Sequence, residues 1–152
     1  MRYALFIALS LLVTEPAAAD TANDYRLAPA VQALFTVGVR YHYGGSSPDT
    51  GFDCSGLVAH VYERAWGVAL PRGTAAQRHL GRAVRRADLQ PGDLVFYNTR
   101  NRPFSHVGIY LGHGDFVHAP RRGQRVRVES LENPYWRARF SGARRLDPPT
   151  FF

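Results

Sequence analysis

Apolar residues recur at helical spacing in the first half of the chain and at strand spacing in the second. In "PAVQALFTVGVRY" the residues Val31, Leu34 and Phe35 predict a short helix with Pro29 in its starting position, after an entry segment over residues 20–28. The stretch "YHYGGSSPDTG" is rich in turn formers and predicts an ordered loop. In "DCSGLVAHVYERAWG" one apolar stripe is formed by Leu57, Val58, Val61, Tyr62 and Ala65. Asp53 can cap the first turn of this helix and Gly67 can end it. A shorter helix is predicted over about residues 74–80, closed by Gly81. The period then changes. A Pro-Gly turn precedes the apolar run 94–97, and "SHVGIYLG", "DFVHAP", "QRVRVES" and "FSGARRL" supply further short strands. Helices first and strands second predict an α+β domain, with N-terminal helices packed on a C-terminal antiparallel sheet of about five strands.

The start of the chain changes where this domain is expected to work. "MRYALFIALSLLVTEPAAAD" places Arg2 before an apolar run over residues 3–13 and ends in Ala17-Ala18-Ala19. That order reads as a cleaved secretory leader over residues 1–19. The apolar run is shorter than the ~20 residues that span a bilayer, so no transmembrane segment is expected after cleavage. No cysteine stands at the cleavage site, so no lipid anchor is expected either. Residues 20–40 form the N-terminal segment and first helix, residues 41–146 the main domain and residues 147–152 a tail.

Charge adds less. The balance is +7, and all nineteen basic residues are arginine. Pairs such as Arg85-Arg86, Arg121-Arg122 and Arg144-Arg145 can attract an anionic polymer, or simply form a solvated basic face. No nucleic-acid motif accompanies them, and nucleic acid is not expected as a partner.

The chemistry centres on Cys54, the single cysteine. An unpaired thiol in an exported protein is either an intermolecular bridge or a reactive group. At a helix start, unpaired N–H groups and the helix dipole favour the thiolate, so a lowered pKa is expected. The competing reading is an inert buried cysteine. A cysteine nucleophile needs a base and a third group that fixes the base's tautomer. Of six histidines, His106 and His118 fall on predicted strands, which are expected to face the helix layer. With an odd-numbered hairpin loop the two share a face, but an ideal ladder places His118 opposite Tyr110, ~13 Å from His106. Direct contact then requires strong twist or a bulge. A zinc site from Cys54, His106 and His118 lacks any tight ligand spacing, and no metal or other cofactor is expected.

These residues carry a family resemblance that spacing alone does not supply. The stretches "YHYGGSSPDTGFDCSGLV", "LPRGTAAQ", "PGDLVFYN", "SHVGIYLGHGDFVHAP" and "YWRARF" resemble, in order, those of NlpC-like cell-wall peptidases, papain-like cysteine peptidases of bacterial peptidoglycan. The resemblance implies Cys54 as nucleophile, His106 as general base and His118 as the third polar group. It implies Tyr43 near the thiolate, with Tyr41 as the alternative, because the tryptophan usual before the "GG" loop is replaced here. Asp53 and Ser55 would help hold the substrate, and Arg72 and Ser105 would line the cleft. The implied substrate is a peptidoglycan stem peptide or crosslink, cut beside diaminopimelate at D-Glu or D-Ala. The implied setting is the periplasm rather than the outside medium. The alternatives are a catalytically weak wall-binding module and a secreted wall-degrading toxin.

Overall fold

The computed structural model describes residues 18–149, so the expected leader lies outside the described residues except for its last two positions. Among the described residues, four α-helices, α1 (Ala18–Leu34), α2 (Cys54–Trp66), α3 (Thr74–Gln77) and α4 (Pro134–Arg139), accompany eight strands. Strands β1 (Ser46–Ser47) and β2 (Gly51–Phe52) form a small hairpin inside the predicted loop. The main sheet contains β3 (Arg82–Val84), β4 (Leu94–Tyr97), β5 (His106–Gly112), β6 (Asp115–His118), β7 (Arg127–Ser130) and β8 (Phe140–Arg145). Its order is β3-β8-β4-β5-β6-β7, with every neighbouring pair antiparallel. The α+β class and the helix-then-sheet order match expectation, with six strands in place of about five.

Helix α2 follows its sequence signals closely. The Asp53 carboxylate accepts from the Gly56 N–H at 2.7 Å, and Gly67 closes the helix in the left-handed region at φ 68°. Leu57, Val58, Val61 and Tyr62 are buried against the sheet.

Helix α1 departs from expectation in two ways. It begins eleven residues before Pro29 rather than at it. A proline at that place denies Tyr25 its normal helical donor. The Tyr25 carbonyl instead accepts from Trp66 Nε1 at 2.7 Å, which ties α1 to α2. The buried face is also not the expected stripe: Ala30 and Ala33 face inward, while Val31, Leu34 and Phe35 are exposed. Alanines on the inner face let α1 lie close to α2.

Strand alternation sends side chains to opposite faces. Leu94, Phe96, Val107, Ile109 and Val117 join α2 and Phe52 in one core layer. Val95, Tyr97, Phe116 and Ala143 pack on the other face against Trp136 of α4 and Leu131. Arg145, near the end of β8, reaches Asp93 just before β4 with two bonds of 2.7 Å, and also donates to the Asp88 carbonyl at 2.8 Å.

Candidate active site

Cys54 is the first residue of α2 and is half-buried. A knot of hydrogen bonds fixes its position. Asp53 accepts from the Gly44 N–H at 2.8 Å as well as from Gly56, and Ser55 Oγ donates to it at 3.2 Å. Arg72 donates to the Gly44 carbonyl at 3.2 Å and pairs with Asp53 at 3.5 Å. A β-carbon on Gly56 would run into the Gly45 carbonyl, so the "GG" loop and the helix start touch backbone to backbone.

The imidazole side of the site is built on the sheet. His106 opens β5 and His118 closes β6, both buried. Contrary to expectation, neither faces the α2 layer. His106 stacks on Trp136 with ring centroids 5.7 Å apart, and His118 meets the same indole edge-on at 4.9 Å. The imidazoles therefore lie on the α4 face, and Cys54, at the first turn of α2, reaches the start of β5 and shares a cavity with His106. The Val107 N–H, one residue after His106, is within hydrogen-bonding reach of the thiolate.

The ~13 Å separation expected for the histidines is also corrected. His106 Nε2 and His118 Nδ1 are 2.8 Å apart. Val117 pairs with Ile109, so the next step of the ladder sets His118 beside Gly108, two residues from His106 rather than four. The register shifts between Tyr110 and Gly112, which supplies the bulge that contact requires. Gly108 carries no side chain between the rings; a β-carbon there would lie 3.3 Å from that of His118.

Behind His118 stands a residue that the sequence reading missed. Glu129 on β7 places Oε2 2.6 Å from His118 Nε2. The same oxygen accepts from Trp136 Nε1 at 2.9 Å, and Oε1 accepts from Arg127 at 3.2 Å. The alternating "QRVRVES" pattern was the available signal: Arg127 and Glu129 share one face of β7, and the ladder pairs Arg127 with His118.

Cys54 and His106 open onto one cavity of about 480 Å³, whose wall also includes Tyr41, Arg100, Ser105, Arg121, Arg127, Glu129 and Trp136. His118 lies behind His106, off the wall. Of the expected substrate-holding residues, only Ser105 is on it, and its Oγ also accepts from the Thr99 N–H at 2.9 Å. Tyr43 is 70% exposed and off the wall, whereas Tyr41 is on it. Asp53, Ser55 and Arg72 make the scaffolding bonds described above and do not reach the cavity.

Electrostatics reverse one expectation. Burial pushes the Cys54 thiol up to about 11, and the adjacent Asp53 carboxylate adds to the rise. The Val107 and Ser55 N–H groups and the Arg100 guanidinium oppose it without overcoming it. Burial holds His106 well below the usual imidazole value, with His118 and Arg100 acting in the same direction. The resting pair is a neutral thiol beside a neutral imidazole. Burial, followed by the nearby Cys54, raises the Tyr41 phenol, which keeps its proton as a donor at the cavity wall.

The NlpC/P60 family model matches residues 38–145. The chain is 44% identical over 116 residues to the murein DD-endopeptidase MepH of Escherichia coli K12, covering 74% of this chain and 43% of that protein. It is 40% identical over 144 residues to a gamma-DL-glutamyl hydrolase of Bacillus subtilis 168, covering 93% and 33%. The chain thus spans less than half the length of either relative. Among solved structures, the NlpC/p60 domain of the peptidoglycan hydrolase SagA aligns with a TM-score of 0.68 at 33% identity, over 78% of this chain and 97% of that one. An NLP/P60-family protein of Staphylococcus aureus Mu50 aligns at 0.71 and 32% identity, over 93% and 46%. The family match takes in the Cys54 helix and every residue from His106 to Glu129, and this chain belongs to the NlpC/P60 family.

Proposed function

We propose that the protein is an exported cysteine peptidase that hydrolyses peptide bonds in peptidoglycan stem peptides or crosslinks. The observation that carries this reading is a hydrogen-bonded chain of Glu129, His118 and His106 that ends in the cavity holding Cys54. Two relatives are named for cutting murein or gamma-glutamyl bonds, which supports the substrate class. Arg100 and Arg121 on the cavity wall suit a peptide rich in carboxylates.

In this mechanism the thiol proton passes from Cys54 Sγ to His106 as sulfur bonds to the amide carbonyl carbon. The Cys54 N–H at the start of α2 and the Tyr41 hydroxyl would hold the oxyanion that forms. Collapse breaks the C–N bond, and His106 returns the proton to the departing amine. Water, deprotonated by His106, then attacks the thioester; the carboxylate leaves and the thiol is restored. The leader over residues 1–19 delivers the enzyme outside the cytoplasm, with the periplasm as the proposed site of action.

The test incubates the mature protein with purified peptidoglycan and identifies released fragments by mass spectrometry. Wild type is expected to release fragments whose masses name the bond, and Cys54→Ala none. His106→Ala should be as silent as Cys54→Ala, whereas His118→Ala should retain a residue of turnover. Release by Cys54→Ala at the wild-type rate, or no release by wild type that still sediments with the wall, would overturn the peptidase reading.

A further inference from the structure

We propose that Glu129 is a positioning residue that sets the proton pattern of the whole imidazole chain. Its carboxylate holds His118 in the Nε2–H form, and His118 in turn requires His106 to carry its proton on Nε2. His106 Nδ1 is thereby left as the lone-pair nitrogen that serves as base. The inference rests on the reading that Cys54 and His106 react as a pair.

Donors and acceptors fix each proton in turn. An ionised carboxylate only accepts, so the proton in the 2.6 Å contact between His118 Nε2 and Glu129 Oε2 belongs to His118. A neutral imidazole has one donor and one acceptor, which makes His118 Nδ1 an acceptor. The proton in the 2.8 Å contact between the rings therefore belongs to His106 Nε2. Each assignment forces the next, and the chain is anchored only at its Glu129 end. The carboxylate itself is held in the ionised form by three donors. Besides His118 these are Trp136 Nε1 at 2.9 Å from α4 and Arg127 at 3.2 Å from its own strand. The His118 bond is the main influence keeping its carboxyl below the usual range.

Without this anchor His118 has two available forms. In the Nδ1–H form it donates to His106 Nε2, and the His106 proton moves to Nδ1, where no proton can be accepted from the thiol. The carboxylate acts again during reaction. When His106 takes the thiol proton, the positive charge lies one imidazole away from Glu129, which favours it. The charged and titratable groups near the carboxylate are His118 on β6, Arg127 on β7 and the Tyr97 phenol on β4, with His106 one ring further and Arg86 near Tyr97.

The test reads tautomers directly, by two-bond ¹H–¹⁵N correlation of the imidazoles in the ¹⁵N-labelled full chain at pH 7.5. Wild type should show both His106 and His118 as Nε2–H forms. Glu129→Ala should give His118 an Nδ1–H population, slow alkylation of Cys54 by iodoacetamide roughly tenfold, and lower kcat on peptidoglycan about 100-fold with KM within twofold. Glu129→Gln keeps the shape and an acceptor oxygen. It should retain the Nε2–H forms and recover at least tenfold of the lost rate, with the acid limb of its alkylation profile moved to lower pH. An Nδ1–H form of His118 in the wild type overturns the proposal with no variant needed. So does a Glu129→Ala protein that keeps wild-type tautomers and rates. Tautomers and alkylation need no peptidoglycan, so an inactive wild type with the expected imidazole forms would defeat the peptidase reading and leave this one standing.

Discussion

At Cys54, helix position and burial pull in opposite directions. The first turn of α2 offers N–H groups that favour a thiolate, but the side chain sits beneath the cavity mouth with the Asp53 carboxylate beside it. Burial wins, and the thiol stays protonated near neutral pH. A raised thiol value means that the thiolate fraction keeps growing as pH increases toward about 11. Alkylation of Cys54 by a neutral reagent should therefore climb through pH 6–10 with no plateau at the low end. Asp53→Asn removes one of the raising charges while keeping a side-chain oxygen for the cap. It should lower the thiol value and speed alkylation at pH 7. Loss of one of the two bonds the carboxylate accepts from backbone N–H groups, of Gly44 or Gly56, should cost about 1 kcal/mol, read as a drop in the urea midpoint. Slower alkylation in this variant would contradict the assigned role of Asp53.

Among the elements, the β5–β6 hairpin decides whether the site exists. Gly108 leaves the space across which the imidazoles meet: a β-carbon there would lie 2.7 Å from Phe116 Cδ2 and 2.8 Å from the Val117 carbonyl. Gly108→Ala should separate the strands locally, cost about 1–3 kcal/mol by overpacking, and lower turnover by more than the lost folded fraction. Comparison of the urea midpoint with kcat checks this. Helix α2 was legible in the sequence because its cap, its stripe and its closing glycine all lie within fifteen residues. Cys54, His106 and His118 could be singled out for a related reason, since each stands at the end of an element with a clear period, while the roles proposed for them came from the family resemblance. His106 takes the face opposite Val107 and Ile109 by alternation along β5, but the face that His118 shares with it was not legible. It depends on a one-residue shift between Tyr110 and Gly112 that no alternation pattern records. Glu129 was hidden for the same reason. A carboxylate on an alternating strand looks like a solvated edge until β6 and α4 are packed beside it. The inward stripe of α1 was misread because small alanines, not the large apolar residues, make the close contact with α2.

Across the whole molecule, two halves must meet for chemistry to occur. The proposed nucleophile belongs to a helix and the proposed base to a sheet. One buried ion pair braces that sheet: Arg145 and Asp93 join β8 to the approach of β4 with two parallel bonds. Arg145→Met leaves the Asp93 carboxylate buried without its partner and should cost about 3–5 kcal/mol. The double variant with Asp93→Leu should recover most of that loss, as read in thermal or urea unfolding. A double variant no more stable than the single would argue against the pair as the brace. The bulge in the β5–β6 hairpin carries a different consequence, for how the gene can change. Side chains in a strand alternate with every residue, so one codon gained or lost in the turn around Gly112–Gly114, if β6 slid to take it up, would exchange the faces of His118 and Val117. Val117 would then leave the apolar core, and the His118 imidazole would point into the α2 layer. A one-codon slip there is thus expected to cost both core packing and the imidazole chain, whereas a two-codon step keeps the faces.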